Sequence, residues 1–314
     1  MTHVRVATYN LYLGADLALL FGVRDRAALA EQVHVVRKQL DATRFHERAA
    51  AVAELLARER PHLVGLQEVS RWAVAPIGLD GSLGEERVLV DFLPALLDAL
   101  DAAGCPFDAL VVNENFAGAM PVSDTEWMSL VGANVTLVRR DAGVEVLGGT
   151  TGEFAAGHEV VTGIDGVSFP IVRSWGSLDV RVDGAALRFA NTHTEAYDGR
   201  VRDAQRDELL AHCDEASTPV VLVGDFNATP DVVGVPDPWL DAWSTSEGVG
   251  ATVGQAADLA NEQSTLSGRI DYVFARDAGV TACRRIGHRS ADRSTPHGLW
   301  PSDHAGVVAD LEVV

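Results

Sequence analysis

Pro219-Val-Val-Leu-Val-Gly-Asp-Phe-Asn-Ala-Thr-Pro230 is the stretch that decides the fold. Val220 to Val223 are consecutive apolar residues of the kind strands favour, enough for a strand buried on both faces. Gly224 frees the backbone for a tight turn, and Pro230 closes the loop. Asp225 and Asn227 stand between them. In an extended chain residues i and i+2 project to the same side, so a carboxylate and a carboxamide are presented together at the mouth of a buried strand. Both are hard oxygen donors, the kind that Mg²⁺ or Mn²⁺ prefers. An Asx-type turn, with the two side chains bonded to their own backbone, explains the same residues equally well.

Working outward, the ends of other expected strands carry similar residues. Val4–Thr8 alternates as a strand and runs into Asn10. Arg26 to Arg58 is helical in composition, with an interruption expected near Asp41 to Phe45. A short apolar strand then ends in Gln67-Glu68. A glutamate there needs a partner, either a metal or an arginine such as the nearby Arg71. The alternating runs Ser177–Val182 and Ala185–Ala190, joined by Asp183-Gly184, read as a hairpin leading to His193. Asp198 caps a helix to about Asp214. Arg269–Phe274 is a strand with Asp271 near its beginning, and Asp303-His304 precede the last strand, Ala305–Val313. Between these elements, Ala73–Glu86 reads as a Gly-rich loop and Val88–Ala103 as a helix with Pro94 in its early turns. Asn113–Ser129 reads as a long surface excursion between two strands. Each polar strand-end residue has a structural explanation when taken alone. If the ends converge, they supply the carboxylates, amides and imidazoles of a metal-assisted hydrolytic site.

Composition narrows the class. The chain has 314 residues, 47% hydrophobic and 22% charged, enough to bury a large core without staples. No apolar run approaches the ~20 residues of a membrane span. Three scattered cysteines make neither a disulfide framework nor a zinc pattern. The N-terminus begins as a strand rather than an export signal, so a cytoplasmic location is expected. No linker or repeat interrupts residues 1–314, and one domain is expected. The net charge of −20 would repel a polyanion, which makes nucleic acid a less favoured partner than a small phosphoester.

The blocks Tyr9-Asn10, Gln67-Glu68, Thr192-His193, Gly224-Asp225-Phe226-Asn227, Arg269-Ile270-Asp271-Tyr272-Val273 and Ser302-Asp303-His304 occur in the order seen in one superfamily. The chain resembles the endonuclease/exonuclease/phosphatase superfamily, with its deoxyribonuclease-I-like fold. The resemblance implies a four-layer α/β/β/α sandwich of two packed mixed sheets with helices outside. It implies a metal cluster at Asn10, Glu68 and Asp303, built for Mg²⁺ or Mn²⁺. It places Asp225 and Asn227 at the attacking water and the phosphate, and as holders of a second ion where two are used. His193 and His304 would contact the phosphoryl oxygens, with Asp271 orienting the imidazole of His304. Where some nuclease relatives carry an acid two residues after the first asparagine, this chain has Tyr12, leaving the first metal shell to Glu68 and Asp303. The blocks around Trp175-Gly176 and Trp300-Pro301-Ser302 resemble bacterial sphingomyelinase-like phosphodiesterases more closely.

The expected activity is therefore a phosphodiesterase on a small-molecule or lipid-like phosphoester. Its rivals are a Mg²⁺-dependent nuclease, a biosynthetic enzyme using the same metal site for other chemistry, and a silent binding module. One local feature opposes the global charge: Arg284, Arg285, His288, Arg289, Arg293 and His297 cluster before Asp303. They are either a solvated loop or a cationic rim, in which Arg289 and Arg293 would draw in an anionic substrate.

Overall fold

The period-two alternation of β1 (Thr2–Asn10) divides the molecule into layers. In the computed structural model, which describes residues 1–78 and 80–314, Val4 and Val6 join one buried apolar cluster while Ala7 and Tyr9 join another. The first cluster lies between two sheets and the second between a sheet and its helices. β1 runs parallel to β2 (Leu63–Pro76) and antiparallel to the C-terminal β15 (Gly306–Val313), so both ends of the chain share one sheet. β14 (Gly279–Ile286) lies beyond β15, while β5 (Glu126–Arg139) and β4 (Phe107–Ser123) lie beyond β2. β3 (Arg87–Asp91) pairs with the far part of β2. The second sheet runs β12 (Leu240–Asp241), β13 (Asp271–Arg276), β11 (Val220–Asp225), β10 (Ala185–His193), β9 (Ser174–Val182) and β6 (Val144–Glu153). Only β10 and β11 are parallel in it, so both sheets are mixed.

Helices cover the outer faces. α1 (Arg26–Ala42), α2 (Phe45–Glu59) and α3 (Phe92–Ala102) pack on the first sheet, and α4 (Gly199–Asp214) on the second. The result is the expected four-layer sandwich. α1 starts where the Asp25 carboxylate accepts from Ala28 N at 2.8 Å, and it buries Leu29, Val33, Val36 and Leu40 along one stripe. The helical stretch breaks after Thr43, where Arg44 is left-handed at φ 42°. Asp183 and Gly184 both have positive φ, as a two-residue hairpin turn requires. A separate hairpin, β7 (His158–Val161) with β8 (Ser168–Ile171), stands outside both sheets. Among the described residues no helix is long and apolar enough to cross a membrane.

Four local expectations are corrected. Asn113–Ser129 is not an excursion: β4 and β5 continue through it as a long hairpin. Its inward positions begin with Asn113 and Asn115, buried and bonded to Ser174, so the apolar alternation is interrupted there and returns only at Met120 and Met128. β2 likewise extends to Pro76 into the expected loop, held by β3 and β5 on its two sides. The expected helix Val88–Ala103 begins only at Phe92, because the preceding residues belong to β3. Gly224 lies within β11 rather than at a turn. A side chain there would place its Cβ 2.2 Å from Thr192 O on β10, so glycine permits the strands' close approach.

Across the first sheet, Asp310 on β15 accepts from Arg5 Nε on β1 at 2.6 Å and from Arg284 Nη1 on β14 at 2.7 Å. Burial raises this carboxyl, but the hydrogen bonds and charges of the two arginines outweigh it and hold the pKa below the usual range. Asp310→Asn is expected to lower stability at pH 7 by about 1–3 kcal/mol. A depressed carboxyl stabilises the fold above its unfolded value near pH 4 and ceases to do so as pH falls through its folded value. Denaturant midpoints of the two proteins should therefore differ at pH 7, and the gap should narrow as pH falls below about 4; a gap that stays constant across that range would contradict this account.

Candidate active site at the mouth of the sandwich

Inner-face residues turn from apolar to polar along each strand toward the same end of the sandwich. The sequence of side chains is Val4, Val6, Thr8, Asn10 on β1 and Leu187, Phe189, Asn191, His193 on β10. On β11 it is Val221, Val223, Asp225, and on antiparallel β13 it is Ala275, Val273, Asp271. Strand register then aligns the polar ends: Asn10 pairs with Gln67, His193 with Asp225, and Asp225 with Asp271. Below them a buried amide belt joins the sheets. Gln67 Nε2 donates to Asn191 Oδ1 at 2.7 Å and Thr8 Oγ1 at 3.0 Å, while Asn191 Nδ2 donates to Leu66 O and Val135 O. Such a satisfied network fixes how the two sheets sit against each other.

At the mouth, Asn10 Nδ2 donates to Asp225 Oδ2 at 3.0 Å and to Glu68 Oε1 at 3.2 Å, bridging the sheets. Glu68 sits in a β-bulge between Leu66 and Val69 with φ 55°, and the extra residue re-aims its carboxylate. Its other oxygen accepts from Leu13 N at 2.7 Å. Arg71 is engaged elsewhere, donating to Glu86, so it is not the partner of Glu68. Asp225 Oδ1 accepts from Asn227 N at 2.9 Å, and Asn227, at φ 46°, donates its amide to Thr194 O. The Asx turn and the paired presentation of Asp225 and Asn227 thus coexist. Tyr12, standing where relatives carry an acid, sends its hydroxyl to Ala257 O at 2.9 Å.

The two histidines sit in opposite electrostatic surroundings. His304 Nδ1 donates to Asp271 Oδ2 at 2.9 Å, and its Nε2 lies 3.9 Å from both Asp225 and Asp303. Burial disfavours its charged form, yet the carboxylates of Asp271 and Asp303 win and hold its pKa well above the usual value. His193 Nε2 lies 3.5 Å from Asp225 Oδ2, and its buried Nδ1 has no partner. Burial, the Arg173 guanidinium and the His304 charge hold His193 well below the ordinary histidine pKa. Burial and the neighbouring Asp271 push Asp225 up to about 7, against the pull of His304. Asp303 rises to about 6 through burial, with Glu68 adding to the rise and His304 opposing it.

A cleft of about 390 Å³ opens over these groups. Glu68, His193, Asp225, Asn227, Asp303 and His304 line it, whereas Asn10 and Asp271 lie behind, bonded to residues that do. Arg289 and Arg293 do not reach it. Arg293 Nε donates to Gly298 O at 2.6 Å and its guanidinium packs 5.7 Å from the Trp300 ring. Arg289 lines a separate pocket with Arg58, Arg284 and His288. Arg293 is thus taken up by a carbonyl and a ring and Arg284 by Glu59 and Asp310, while Arg289 is exposed away from the cleft, so the cationic rim does not line it.

The donor set suits a divalent cation. Among the described residues no arginine or lysine forms an ion pair with Glu68, Asp225 or Asp303. Their oxygens therefore form an anionic cluster that a hard cation would neutralise. Asp225, Asp271 and His304 also offer ligand atoms within 4.8 Å of one another. Since His304 Nδ1 is already bonded to Asp271, that trio is better suited to orienting the imidazole than to enclosing an ion.

Two arginines escaped the sequence reading. Arg48 is fully buried on α2, donating to Leu11 O at 2.6 Å, Pro301 O at 3.0 Å, Tyr12 O at 3.1 Å and Thr43 O at 2.8 Å. It ties the end of β1 to the segment before Asp303. Its signal was an arginine on the apolar stripe formed by Phe45, Ala49, Val52 and Leu56. Arg173 lines the cleft with its side chain 13% exposed, its Nε unpartnered, 3.8 Å from Glu195. Nothing in its Gly-rich surroundings marked it.

Two mixed sheets closed at one mouth over carboxylates, amides and imidazoles define the deoxyribonuclease-I-like class of fold. Residues 7–304 match the family model described as Endonuclease/Exonuclease/phosphatase family, and the chain belongs to that family. Membership makes it a hydrolase of phosphoester bonds. It is similar to an endonuclease/exonuclease/phosphatase from Bacteroides vulgatus, at 20% identity and TM-score 0.60 with both chains fully covered. A humanised D. rerio TDP2 carrying 14 mutations matches at 15% identity and TM-score 0.59, with 99% of each chain covered. A Bacteroides thetaiotaomicron mannosyl-6-phosphatase matches at 15% identity and TM-score 0.58, covering 98% of this chain and 99% of the other. A search of curated proteins returns no match.

Proposed function

We propose that the chain is a divalent-metal-dependent phosphodiesterase acting on a small-molecule phosphoester, with Mg²⁺ or Mn²⁺ as the ion. The observation that carries this reading is the meeting, in one cleft, of His304 held by Asp271 with His193 and the oxygens of Asp225, Glu68 and Asp303. Glu68 and Asp303 would hold the ion, with Asp225 and the amides of Asn10 and Asn227 completing the donor set. When bound, the ion polarises the phosphoryl group and makes its bound water more acidic.

The remaining roles fall to the protein. Asp225, which lines the cleft 3.5 Å from His193 Nε2, accepts the proton of the attacking water. Asn227, anchored on Thr194 O, holds the phosphate relative to that water. His304, oriented by Asp271, presents an Nε2–H to a non-bridging oxygen as negative charge grows there. His193 offers its neutral imidazole to a second oxygen. Arg173 adds a fixed positive charge beside it.

The test is turnover of a panel containing an aryl phosphodiester, an aryl phosphomonoester, sphingomyelin, nucleotides and DNA. Each is assayed with Mg²⁺, with Mn²⁺ and with chelator. Diester hydrolysis that chelator stops and added metal restores is the expected result. Equal rates with and without chelator, or turnover of DNA alone, would reject the proposal.

A further inference from the structure

The cleft is polar at its catalytic floor, and Asp16, Asn115, Arg173 and Gln255 also line it, but much of its wall is apolar. The rest of the same cavity runs between the 3-10 turn Leu17–Leu20, the β4–β5 hairpin, β8 and the loop after β10. Leu20, Phe116, Met120, Phe169, Ile171 and Tyr197 face it from these separate elements. Phe21 closes the rim, its ring 5.1 Å from that of Tyr197, edge-on, and 6.0 Å from that of Phe169. An apolar wall this continuous with a catalytic floor has an obvious occupant: the part of the substrate that is not phosphate.

Charge restricts what that part is. The cleft is lined by the carboxylates of Asp16, Glu68, Asp225 and Asp303 and, among the described residues, by one guanidinium, Arg173. A substrate bearing further phosphates would meet carboxylates without cations to balance it, unlike a nucleic-acid groove. Size restricts it too, since about 390 Å³ lies toward the small end of ligand pockets.

We infer that the substrate carries a single phosphoester group with an uncharged apolar substituent, one aromatic ring or a short alkyl chain, which lies in this arm of the cleft. The inference rests on the phosphoesterase reading above and names the substrate class for that site.

Methyl-, ethyl-, propyl- and butylphosphonate, which resist hydrolysis, are the probes. Their binding to the Mg²⁺-loaded protein is measured by calorimetry, and their inhibition is measured against whichever panel substrate is turned over. Affinity should rise about fourfold per added methylene, the gain expected for burying one such group. Phe169→Ser and Tyr197→Ser should flatten that slope. Tyr197 is 50% exposed; Phe169 stands on the hairpin outside both sheets but packs against the core beneath it, so the melting temperature of that variant is measured alongside its slope. A flat slope in the wild type, or a steep one that both variants leave untouched, overturns the inference. Either result with metal-dependent turnover intact leaves the phosphodiesterase proposal standing. Absence of turnover across the panel would instead remove that proposal, while the calorimetric slope still reports on the arm.

Discussion

Asp225→Asn is expected to lower metal-dependent kcat by on the order of 10³-fold, within the range for loss of a positioned general base. The substitution keeps size and shape, and the new side-chain oxygen can still accept from Asn227 N. What it removes is the negative charge that faces Asn10 Nδ2, His193 Nε2 and His304 Nε2 at once. Loss of fold is a separable outcome. Asp225 is buried beside Asp271, where its charge is unfavourable, but the new amide nitrogen would face Asn10 Nδ2 donor to donor, so the melting temperature in chelator is measured beside kcat to separate lost chemistry from lost fold. A variant that folds and retains more than about a tenth of wild-type kcat would remove Asp225 from the proposed chemistry.

Gly65→Ala should have the largest effect on stability. Gly65 pairs with Thr8 in the first sheet and faces the second sheet directly. A Cβ there would lie 2.5 Å from Val223 Cγ2 and 2.8 Å from the Asn191 amide, contacts that real side chains do not tolerate. Relief requires the sheets to separate or Asn191 to turn, and turning Asn191 strips Gln67 Nε2 of its 2.7 Å acceptor. Overpacking and an unsatisfied buried amide together cost about 3 kcal/mol. Urea unfolding measures this directly, and a loss below about 0.5 kcal/mol would mean the amide belt does not set the sheet separation.

The same belt shows which features local sequence carries. The hairpin at Asp183-Gly184, the cap at Asp198, the break near Arg44 and the buried strand before Asp225 each depend on backbone preferences spanning a few residues, and all were legible. Asn10, His193, Asp225 and Asp271 were legible because alternation along β1, β10, β11 and β13 points them toward one mouth, and Glu68, Asn227, Asp303 and His304 were legible as polar residues beside strand ends. By contrast, the β4–β5 hairpin was hidden, because its inner face uses Asn113 and Asn115 where apolar residues would have announced a strand.

By itself, the sequence determined the strand and helix segments and the chemical inventory of the mouth, because periodicity and strand-end polarity are properties of short segments; the layers were implied by the family resemblance. Only the tertiary structure decided that a bulge re-aims Glu68, that Arg48 clamps Leu11 to Pro301, and that Arg173 rather than Arg289 or Arg293 supplies the cation of the cleft. The apolar arm was likewise invisible beforehand. Leu20, Phe116 and Phe169 lie far apart in the chain and meet because pairing across many intervening residues folds their elements around one cavity. Such contacts arise from the register of distant strands, which no local run of residues encodes.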